Sequence, residues 1–385
     1  MNFFRGTQFA FAKILRVLFL LMVVAGVTAF ATAQDFPQPV TPIRVAVVGL
    51  VHQHIAGFLP QLPLHPEIQL VGIEEPDIAV ADRYKQQFHL DPKLFYTQID
   101  TMIERTHPQA LLVYTAISDH RRVIEIAAAH SVSVMVEKPL STSLADALEI
   151  RRIARAHHIE VLVNYETTWY ASNYEAYEEL QQGKLGILRK TIIRDGHQGP
   201  QEIGVSPEFL RWLTDPKKDG AGALFDFGCY GADLMTWLMH GETPVSVTAV
   251  TQTHKPKLYP RVDDDATVIL RYPTAQAIIL ASWDWSFSVK NMEVYGTKGY
   301  AFTQGSDHLQ VRYAEKQQAS LIAAPPLGPP NDNSLHYLIE VLRGKLIPKG
   351  DLSALDTNLI VMQILDAARE SARTGQTIQL KSLPK

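Results

Sequence analysis

The sequence predicts an α/β fold of two domains: a parallel-sheet domain over residues 42–166, then an α+β domain with a largely antiparallel, open sheet over residues 167–385. Three observations support this prediction. Apolar runs alternate with amphipathic stretches in the first part, closely spaced strands with turn signals follow in the second, and the first strand runs into a turn at Gly49. A chain of 385 residues is long enough for two domains.

The first domain is predicted from a regular alternation of strand and helix patterns. Strands that are flanked by helices in this way form βαβ units, in which the strands run parallel. The predicted strands cover residues 43–49, 68–74, 110–116, 133–137 and 160–165. The predicted helices cover residues 54–62, 77–88, 99–106, 120–130 and 144–157.

The second domain is predicted from a change of rhythm after residue 166. Period-2 alternation with short connections indicates antiparallel strands. The predicted strands cover residues 188–194, 245–254, 265–272, 275–283, 291–296 and 299–303. The predicted helices cover residues 171–182, 206–214 and 226–239, and two closing helices lie within 333–373, after a proline-rich loop at 324–330.

The N-terminus has the pattern of a Sec-type signal peptide. Basic residues precede an almost unbroken apolar run over residues 17–31, and Ala31-Thr32-Ala33 offers a cleavage site after Ala33. No Arg-Arg pair precedes the run, which disfavours the twin-arginine route. We expect a periplasmic or secreted protein without stable membrane insertion once residues 1–33 are removed. A retained membrane anchor is the alternative.

Composition narrows the possible partners. A net charge of −4 without a long Lys/Arg run gives no electrostatic signature of nucleic-acid binding. The single cysteine, Cys229, cannot form an internal disulfide.

The loop after the first strand has the position of a dinucleotide-binding turn but lacks two glycines. In the pattern G-x-G-x-x-G, Gly49 takes the first position, whereas Val51 and His54 take the second and third. N–H groups at the following helix start remain available to an anion. His52 could add a donor, or a positive charge at mildly acidic pH. The loop is either a modified cofactor site or one that has been lost.

Glu137-Lys138-Pro139 ends the fifth predicted strand. Ligands of doubly wound sheets bind at the carboxyl ends of strands, so Lys138 is expected at the crevice, where it could bind a substrate hydroxyl and relay its proton. The alternative is a surface lysine that closes a strand.

Residues 220–233 form a second group, in which small residues lead into a helix. Asp226 and Tyr230 are four residues apart, which places them on one helix face as a possible proton-handling pair. A nearby lysine would lower the pKa of the phenol. The alternative is that Asp226 caps the helix and Tyr230 belongs to the core.

Taken in order, the turn at Gly49, Glu-Lys-Pro at 137–139, the segment 220–233 and a late helix at 367–375 resemble the glucose-fructose oxidoreductase / inositol dehydrogenase / MocA (Gfo/Idh/MocA) family from about residue 42 to the end. The resemblance implies an N-terminal Rossmann-type domain and NAD(P)-dependent hydride transfer on a sugar, cyclitol or related polyol. It also makes a homo-dimer or homo-tetramer plausible.

The resemblance implies roles for the motif residues. Lys138 matches the lysine near the nicotinamide, Asp226 the substrate-binding aspartate, and Tyr230 an acid/base position that is His in many members. Glu75 falls where the family has an acidic residue, which favours NAD over NADP. The remaining expected cofactor contacts are Gly49, Val51, His52, His54, Thr115, His120 and Glu137.

Two further residues are expected at the substrate. Tyr165 and His197 follow strands in stretches that are dense in polar and aromatic groups, as in sugar sites; interface or core packing is the alternative for each. No metal site is predicted, because His52-x-His54 alone offers too few ligands.

Two other functions stay open at this stage. A lyase or hydrolase that acts on glycosides through transient oxidation would recycle NAD within each turnover. A non-catalytic carbohydrate-binding protein that kept the fold would explain the altered glycine loop.

Overall fold

A computed structural model describes residues 41–383, and the residues from Pro42 onward form one compact unit. The predicted signal peptide and its cleavage site lie outside the described residues. Within residues 41–383, no helix is both long enough and apolar enough to cross a membrane.

The first sheet has six parallel strands in the order β3-β2-β1-β4-β5-β6. The strands are β1 (Ile43–Val48), β2 (Ile68–Glu74), β3 (Phe95–Tyr96), β4 (Ala110–Val113), β5 (Ser133–Glu137) and β6 (Val161–Asn164). The helices are α1 (Ile55–Phe58), α2 (Ile78–Gln87), α3 (Ile99–Thr106), α4 (His120–Ala129) and α5 (Leu144–His157). The strands are Val-, Ile- and Leu-rich because helices cover both faces of the sheet.

The first predicted helix is much shorter than expected. Its pattern over residues 54–62 gives only the single turn α1, after which the chain continues as a 3-10 helix, Leu59–Leu64. Pro60 and Pro63 lack the N–H groups that an α-helix needs at these positions.

The second sheet has nine strands in the order β14-β13-β12-β11-β7-β10-β9-β8-β15. Only β7 and β10 pair in parallel; the other neighbours are antiparallel. The strands are β7 (Leu188–Gly196), β8 (Ser246–Gln252), β9 (Asp265–Arg271), β10 (Gln276–Ser282), β11 (Val289–Gly296), β12 (Tyr300–Gln304), β13 (His308–Arg312), β14 (Ser320–Ala323) and β15 (Ile378–Gln379). This architecture confirms the predicted fold class.

The helices of the second part cover one face of this sheet and return to the first. They are α6 (Ala171–Gln181), α7 (Pro207–Leu213), α8 (Ala223–Asp226), α9 (Gly228–Leu238), α10 (Ser334–Leu342) and α11 (Leu355–Thr374). Leu335 and Leu338 of α10 belong to the same buried cluster as Val45 of β1. The long helix α11 contacts both α5 and β8. The closing helices therefore pack on both sheets.

Gly49 is required by the turn after β1. Its φ is +79°, a backbone conformation that side chains disfavour. A Cβ atom at this position would lie 2.7 Å from Cγ2 of Thr115. The first glycine of the loop is therefore fixed by backbone geometry and by close approach of β4.

We predict that Gly49→Ala lowers the free energy of unfolding by about 1–3 kcal/mol, because it adds both left-handed strain and a steric clash. Gly57→Ala is the matched control in the same segment. A Cβ at Gly57 would meet nothing within 4 Å, and alanine favours a helix. Urea unfolding of the two variants measures the difference; equal stabilities would contradict the assignment.

Candidate active site

A cavity of about 200 Å³ lies at the carboxyl edge of the first sheet, where residues of the second part complete it. The polar side chains on its wall are Gln53, His54, Lys138, His197, Asp226, Tyr230 and Lys290. Five of the predicted site residues therefore meet here, although they come from widely separated parts of the sequence: His54, Lys138, His197, Asp226 and Tyr230.

Lys138 and Asp226 form a buried ion pair. Lys138 directly follows β5, and its Nζ donates to the carbonyl oxygen of Asp226 at 2.8 Å and to carboxylate oxygen Oδ1. Trp283 Nε1 donates to the other carboxylate oxygen at 2.9 Å. Burial opposes both charges, but each partner stabilises the other, so the pKa of Lys138 is raised and that of Asp226 is lowered. Lys138 is thus an ammonium donor.

Tyr230 is buried, and its ring lies between two cations. Nζ of Lys138 and Nζ of Lys290 are each 5.1 Å from the ring centre. The predicted lowering of its pKa by Lys138 is wrong: burial raises the pKa of Tyr230 well above its usual value. Its hydroxyl makes no hydrogen bond within residues 41–383, so the phenol is a free proton donor at the cavity.

Asp226 and Tyr230 do not share one continuous helix face. α8 ends at Asp226, and α9 begins at Gly228. The two side chains still meet at the cavity, but the carboxylate is bound to Lys138 and Trp283 rather than to the phenol.

His197 presents a neutral imidazole to the cavity. Its Nδ1 accepts from the backbone N–H of Gly199 at 2.9 Å, so the proton of the neutral ring is on Nε2. Burial is the largest cause that lowers the pKa of His197, and the charges of Lys138 and Lys290 add to it. His197 is therefore a second neutral donor.

Two titratable residues at or near the cavity were missed. Lys290 of β11 binds the carboxylate of Glu166 and lies over Tyr230. Asp195 of β7 is buried, and neither carboxylate oxygen has a partner within residues 41–383. Burial raises the pKa of Asp195 to about 8. The polar stretch at the end of β7 pointed to this region, but only to His197.

Tyr165 does not reach the cavity, and its predicted role at the substrate is corrected. The side chain is fully buried, and its hydroxyl donates to Oδ1 of Asn358 in α11 at 2.8 Å. Its ring packs on Tyr230 with the centres 5.6 Å apart. Tyr165 supports Tyr230 from the core.

The two histidines of the glycine-poor loop take different places. His52 is buried between Phe209 and Trp212 of α7, with ring centres 4.9 and 5.5 Å away. Burial, with a smaller contribution from His54, lowers the pKa of His52 well below its usual value. The positive charge expected on His52 is therefore wrong.

His54 stays half-exposed and binds Glu137. Its Nδ1 lies 2.9 Å from Oε2 of Glu137, whose other oxygen accepts from Asn164 at 2.9 Å. Burial would raise the pKa of Glu137, but His54 and Asn164 outweigh it and lower that pKa. Glu137 does not line the cavity; it positions His54.

Three other expected cofactor contacts are buried. Glu75 accepts from the backbone N–H groups of Leu50 at 2.8 Å and of Asp77 at 2.9 Å, and it is 4% exposed. Thr115 donates to the carbonyl of Ala116 at 3.0 Å. His120 is fully buried, and burial lowers its pKa to about 4. Glu75 thus holds the loop itself, and this geometry does not expose it to a ribose.

The turn at Gly49 and the cavity fit a nicotinamide dinucleotide. The region expected for its adenosine half fits less well. Gly49 makes the required turn, and the backbone N–H groups of Val51 and Gln53 have no acceptor within residues 41–383. However, Trp212 Nε1 donates to the carbonyl of Val51 at 3.2 Å, and α7 lies against the loop that a pyrophosphate would approach. The residues at the cavity therefore fit the nicotinamide end of the cofactor, whereas Trp212 of α7 binds the loop on which the pyrophosphate would lie.

The fold and site define a class: a Rossmann-type enzyme whose reacting groups lie between the strand ends of its first sheet and a second, mainly antiparallel sheet. The chain belongs to the Gfo/Idh/MocA family. Residues 43–165 match the family model described as "Oxidoreductase family, NAD-binding Rossmann fold", and residues 174–302 match "GFO/IDH/MocA C-terminal domain". The protein is thus an oxidoreductase of an NAD-binding family, which confirms the predicted family, enzyme class and cofactor.

Relatives of known activity are distant. The chain is 25% identical over 260 residues to trans-1,2-dihydrobenzene-1,2-diol dehydrogenase of Macaca fuscata fuscata. The aligned residues cover 67% of this chain and 72% of the relative. It is 25% identical over 193 residues to dTDP-3,4-didehydro-2,6-dideoxy-alpha-D-glucose 3-reductase of Streptomyces antibioticus, covering 50% and 55%.

Solved structures share the whole fold. Aldose-aldose oxidoreductase from Caulobacter crescentus, complexed with glycerol, superposes with a TM-score of 0.75 at 21% identity, over 88% of this chain and 100% of that one. An inositol dehydrogenase homolog from Azotobacter vinelandii, complexed with NAD+, gives a TM-score of 0.74 at 19% identity, over 88% and 98%.

Asp195 gives a testable pH dependence. Its folded pKa of about 8 exceeds its ordinary value of 3.8, so the unfolded chain loses the proton first as the pH rises. We predict that the free energy of unfolding of the wild type falls relative to that of Asp195→Asn as the pH rises from about 4 to about 8. The fall is at most about 1.4 kcal/mol per pH unit. Urea unfolding at several pH values measures this.

The exposed Asp307 supplies the control for this experiment. Asp307→Asn should show no comparable divergence from the wild type over the same range. If the Asp195→Asn and wild-type stabilities remain parallel with pH, the carboxyl of Asp195 is not held protonated by burial.

Proposed function

We propose that this protein is an exported NAD-dependent oxidoreductase that acts on a hydroxyl-bearing carbon of a sugar, cyclitol or related polyol and holds its cofactor tightly. The observation that carries the proposal is the buried Lys138–Asp226 ion pair at a cavity whose other polar wall groups are mostly donors.

The arrangement suits a reacting oxygen that gains negative charge. The bound cofactor supplies hydride exchange at the carbon. The Lys138 ammonium donates a hydrogen bond toward the reacting oxygen and stabilises its developing charge, while Asp226 keeps that ammonium charged and oriented. The phenol of Tyr230 exchanges the proton at that oxygen, and its raised pKa keeps the proton on the phenol between turnovers. His197 Nε2–H can bind a second hydroxyl.

Contacts between α7 and the loop support slow cofactor exchange. Besides the Trp212 bond, the backbone N–H of Ser206 donates to the side chain of Gln53 at 3.0 Å. Arg83 of α2 binds the carboxylate of Glu208 in α7. Admission of a dinucleotide requires α7 to leave the loop, and closure of these contacts over the bound cofactor would retard its release.

Export would make tight binding of the cofactor necessary. The N-terminal pattern predicts passage out of the cytoplasm. Free nicotinamide cofactor is scarce outside the cytoplasm. A retained cofactor that is reduced by one substrate and reoxidised by another needs no exchange.

A homo-dimer or homo-tetramer is also proposed. The face of the second sheet that α9 and α11 leave open carries apolar side chains, among them Ile269 (36% exposed) and Val250 (62% exposed). Such a face is suited to pairing with a second copy.

One observation favours a second candidate function. The carboxylate of Glu75 is bonded to the loop backbone, and His52 of this loop packs against Trp212. Such contacts are expected in a non-catalytic carbohydrate-binding protein that retains the fold.

The two candidates differ in cofactor content. We predict that mature protein beginning at Gln34, recovered after signal cleavage and denatured, releases about one NAD(H) per chain, measured by enzymatic cycling assay. Protein without released cofactor that also fails to bind added NAD in calorimetry would refute the oxidoreductase proposal and favour the binding protein.

Two buried tyrosines allow a matched test of the site. Tyr230→Phe should lower kcat about 100-fold or more, because a proton donor at the reacting oxygen is lost. Its stability should change little, since the hydroxyl has no hydrogen bond within the described residues. Tyr165→Phe should keep kcat but lower the free energy of unfolding by about 1 kcal/mol, because the bond to Asn358 is lost. Steady-state kinetics on a polyol that the wild type turns over, with urea unfolding, distinguishes them; wild-type turnover by Tyr230→Phe would refute its role.

A further inference from the structure

Three side chains that do not line the cavity converge at a second place. His65 and Glu67 lie in the turn before β2, and His336 lies in the first turn of α10. Each offers one ligand atom, and these atoms all lie within 4.8 Å of one another. We propose that His65, Glu67 and His336 form a site for a divalent transition metal, with zinc as the favoured ion.

The separations of the ligand atoms suit a small tetrahedral ion. Nδ1 of His65 and Nε2 of His336 are each 3.1 Å from the same oxygen, Oε1 of Glu67. Two ligand atoms about 2.0–2.1 Å from a tetrahedral zinc are about 3.4 Å apart. Side-chain shifts of a few tenths of an ångström would therefore admit the ion. The two imidazole rings meet edge to face with their centres 5.1 Å apart, so both can approach the centre.

A carboxylate behind His336 orients its ring as in many metal sites. The two oxygens of Asp332 lie 2.7 and 2.8 Å from Nδ1 of His336. Since a carboxylate only accepts, Nδ1 carries the proton and Nε2 presents its lone pair toward Glu67. Asn333 places its amide nitrogen 2.8 Å from the same Nδ1, but two contacts from a charged group outweigh one from a neutral amide. Metal-binding histidines commonly donate their second N–H in this way.

This orientation leaves an electrostatic conflict that a cation resolves. The lone pair of His336 Nε2 faces the acceptor Oε1 of Glu67 at 3.1 Å, and neither atom carries a proton for the other when the imidazole is neutral. A metal ion accepts from both atoms at once. Titration of the protein with metal ions tests whether an ion takes this position.

The donor set selects the ion. Two imidazole nitrogens and one carboxylate oxygen favour zinc over magnesium or calcium, which prefer oxygen ligands alone. The side chains of His65, Glu67 and His336 are 13%, 25% and 26% exposed, so the ion can enter and water can take the fourth position. The ion would tie α10, and with it the late part of the chain, to the first sheet.

The test uses the full mature protein after removal of metals with a chelator. Calorimetric titration with Zn²⁺ should show one site per chain with a Kd of about 1 μM or lower, and saturating Zn²⁺ should raise the Tm by several degrees. Co²⁺ as a probe should give the visible absorption of a tetrahedral or five-coordinate site with nitrogen ligands. Absence of Zn²⁺ binding at millimolar concentration would overturn the proposal.

Variants locate the ion. His65→Ala and His336→Gln should each weaken Zn²⁺ binding at least 100-fold, while Asp332→Asn should weaken it about 10–100-fold through the ring orientation. Circular dichroism of the metal-free variants checks folding. His308→Ala, at an exposed His–Asp pair, is the control that should bind like the wild type.

A second cluster, His52, His54 and Glu137, could also collect an ion. His54→Ala should leave Zn²⁺ affinity unchanged. If His54→Ala abolishes binding while His65→Ala and His336→Gln retain it, the ion belongs to the active-site loop and the proposal is wrong.

Discussion

Lys138 and Asp226 carry opposite charges that are only 6% and 9% exposed, and the rest of the site depends on this pairing. Neither charge is stable in such a place alone, because loss of one partner of a buried pair costs about 3–5 kcal/mol. The pair joins the end of β5, in the first sheet, to the end of α8, in the second part of the chain. Trp283 on the far side holds the carboxylate in one orientation. The pair therefore contributes both to the interface between the two parts of the chain and to the chemistry of the cavity.

The pairing also decides what the neighbouring groups can do. With Asp226 committed to Lys138, the phenol of Tyr230 has no carboxylate partner, and burial raises its pKa although two ammonium groups lie over its ring. Burial is also the largest cause of the lowered pKa of His197, and the charges of Lys138 and Lys290 act in the same direction. The cavity is rich in donors and poor in free acceptors. It is matched to an oxygen atom that gains negative charge, as a carbonyl oxygen does when its carbon accepts a hydride.

Local patterns in the sequence predicted the fold and part of the site. The bounds of β2, β5 and α5 agree with the predicted segments because apolar periodicity, caps and turn residues act over a few positions. The short strands β3, β13, β14 and β15 were missed. Tyr165 and His52 were misjudged because their surroundings come from α11 and α7, far along the chain. Lys290 and the partners of His336 have no local signal, and the polar stretch around Asp195 pointed only to His197, because only the folded chain brings their neighbours together.

Contacts within the protein account for the two residues that replace glycine in the loop. In a standard loop the second glycine lets the backbone meet a pyrophosphate; here Val51 packs on the core and its carbonyl binds Trp212. The third lets helix and strand approach; here His54 turns outward to Glu137, and the helix shortens to one turn. Both replacements convert a surface for a ligand into contacts within the protein. The loop on which a pyrophosphate would lie is therefore held by contacts from α7 as well as by its own turn.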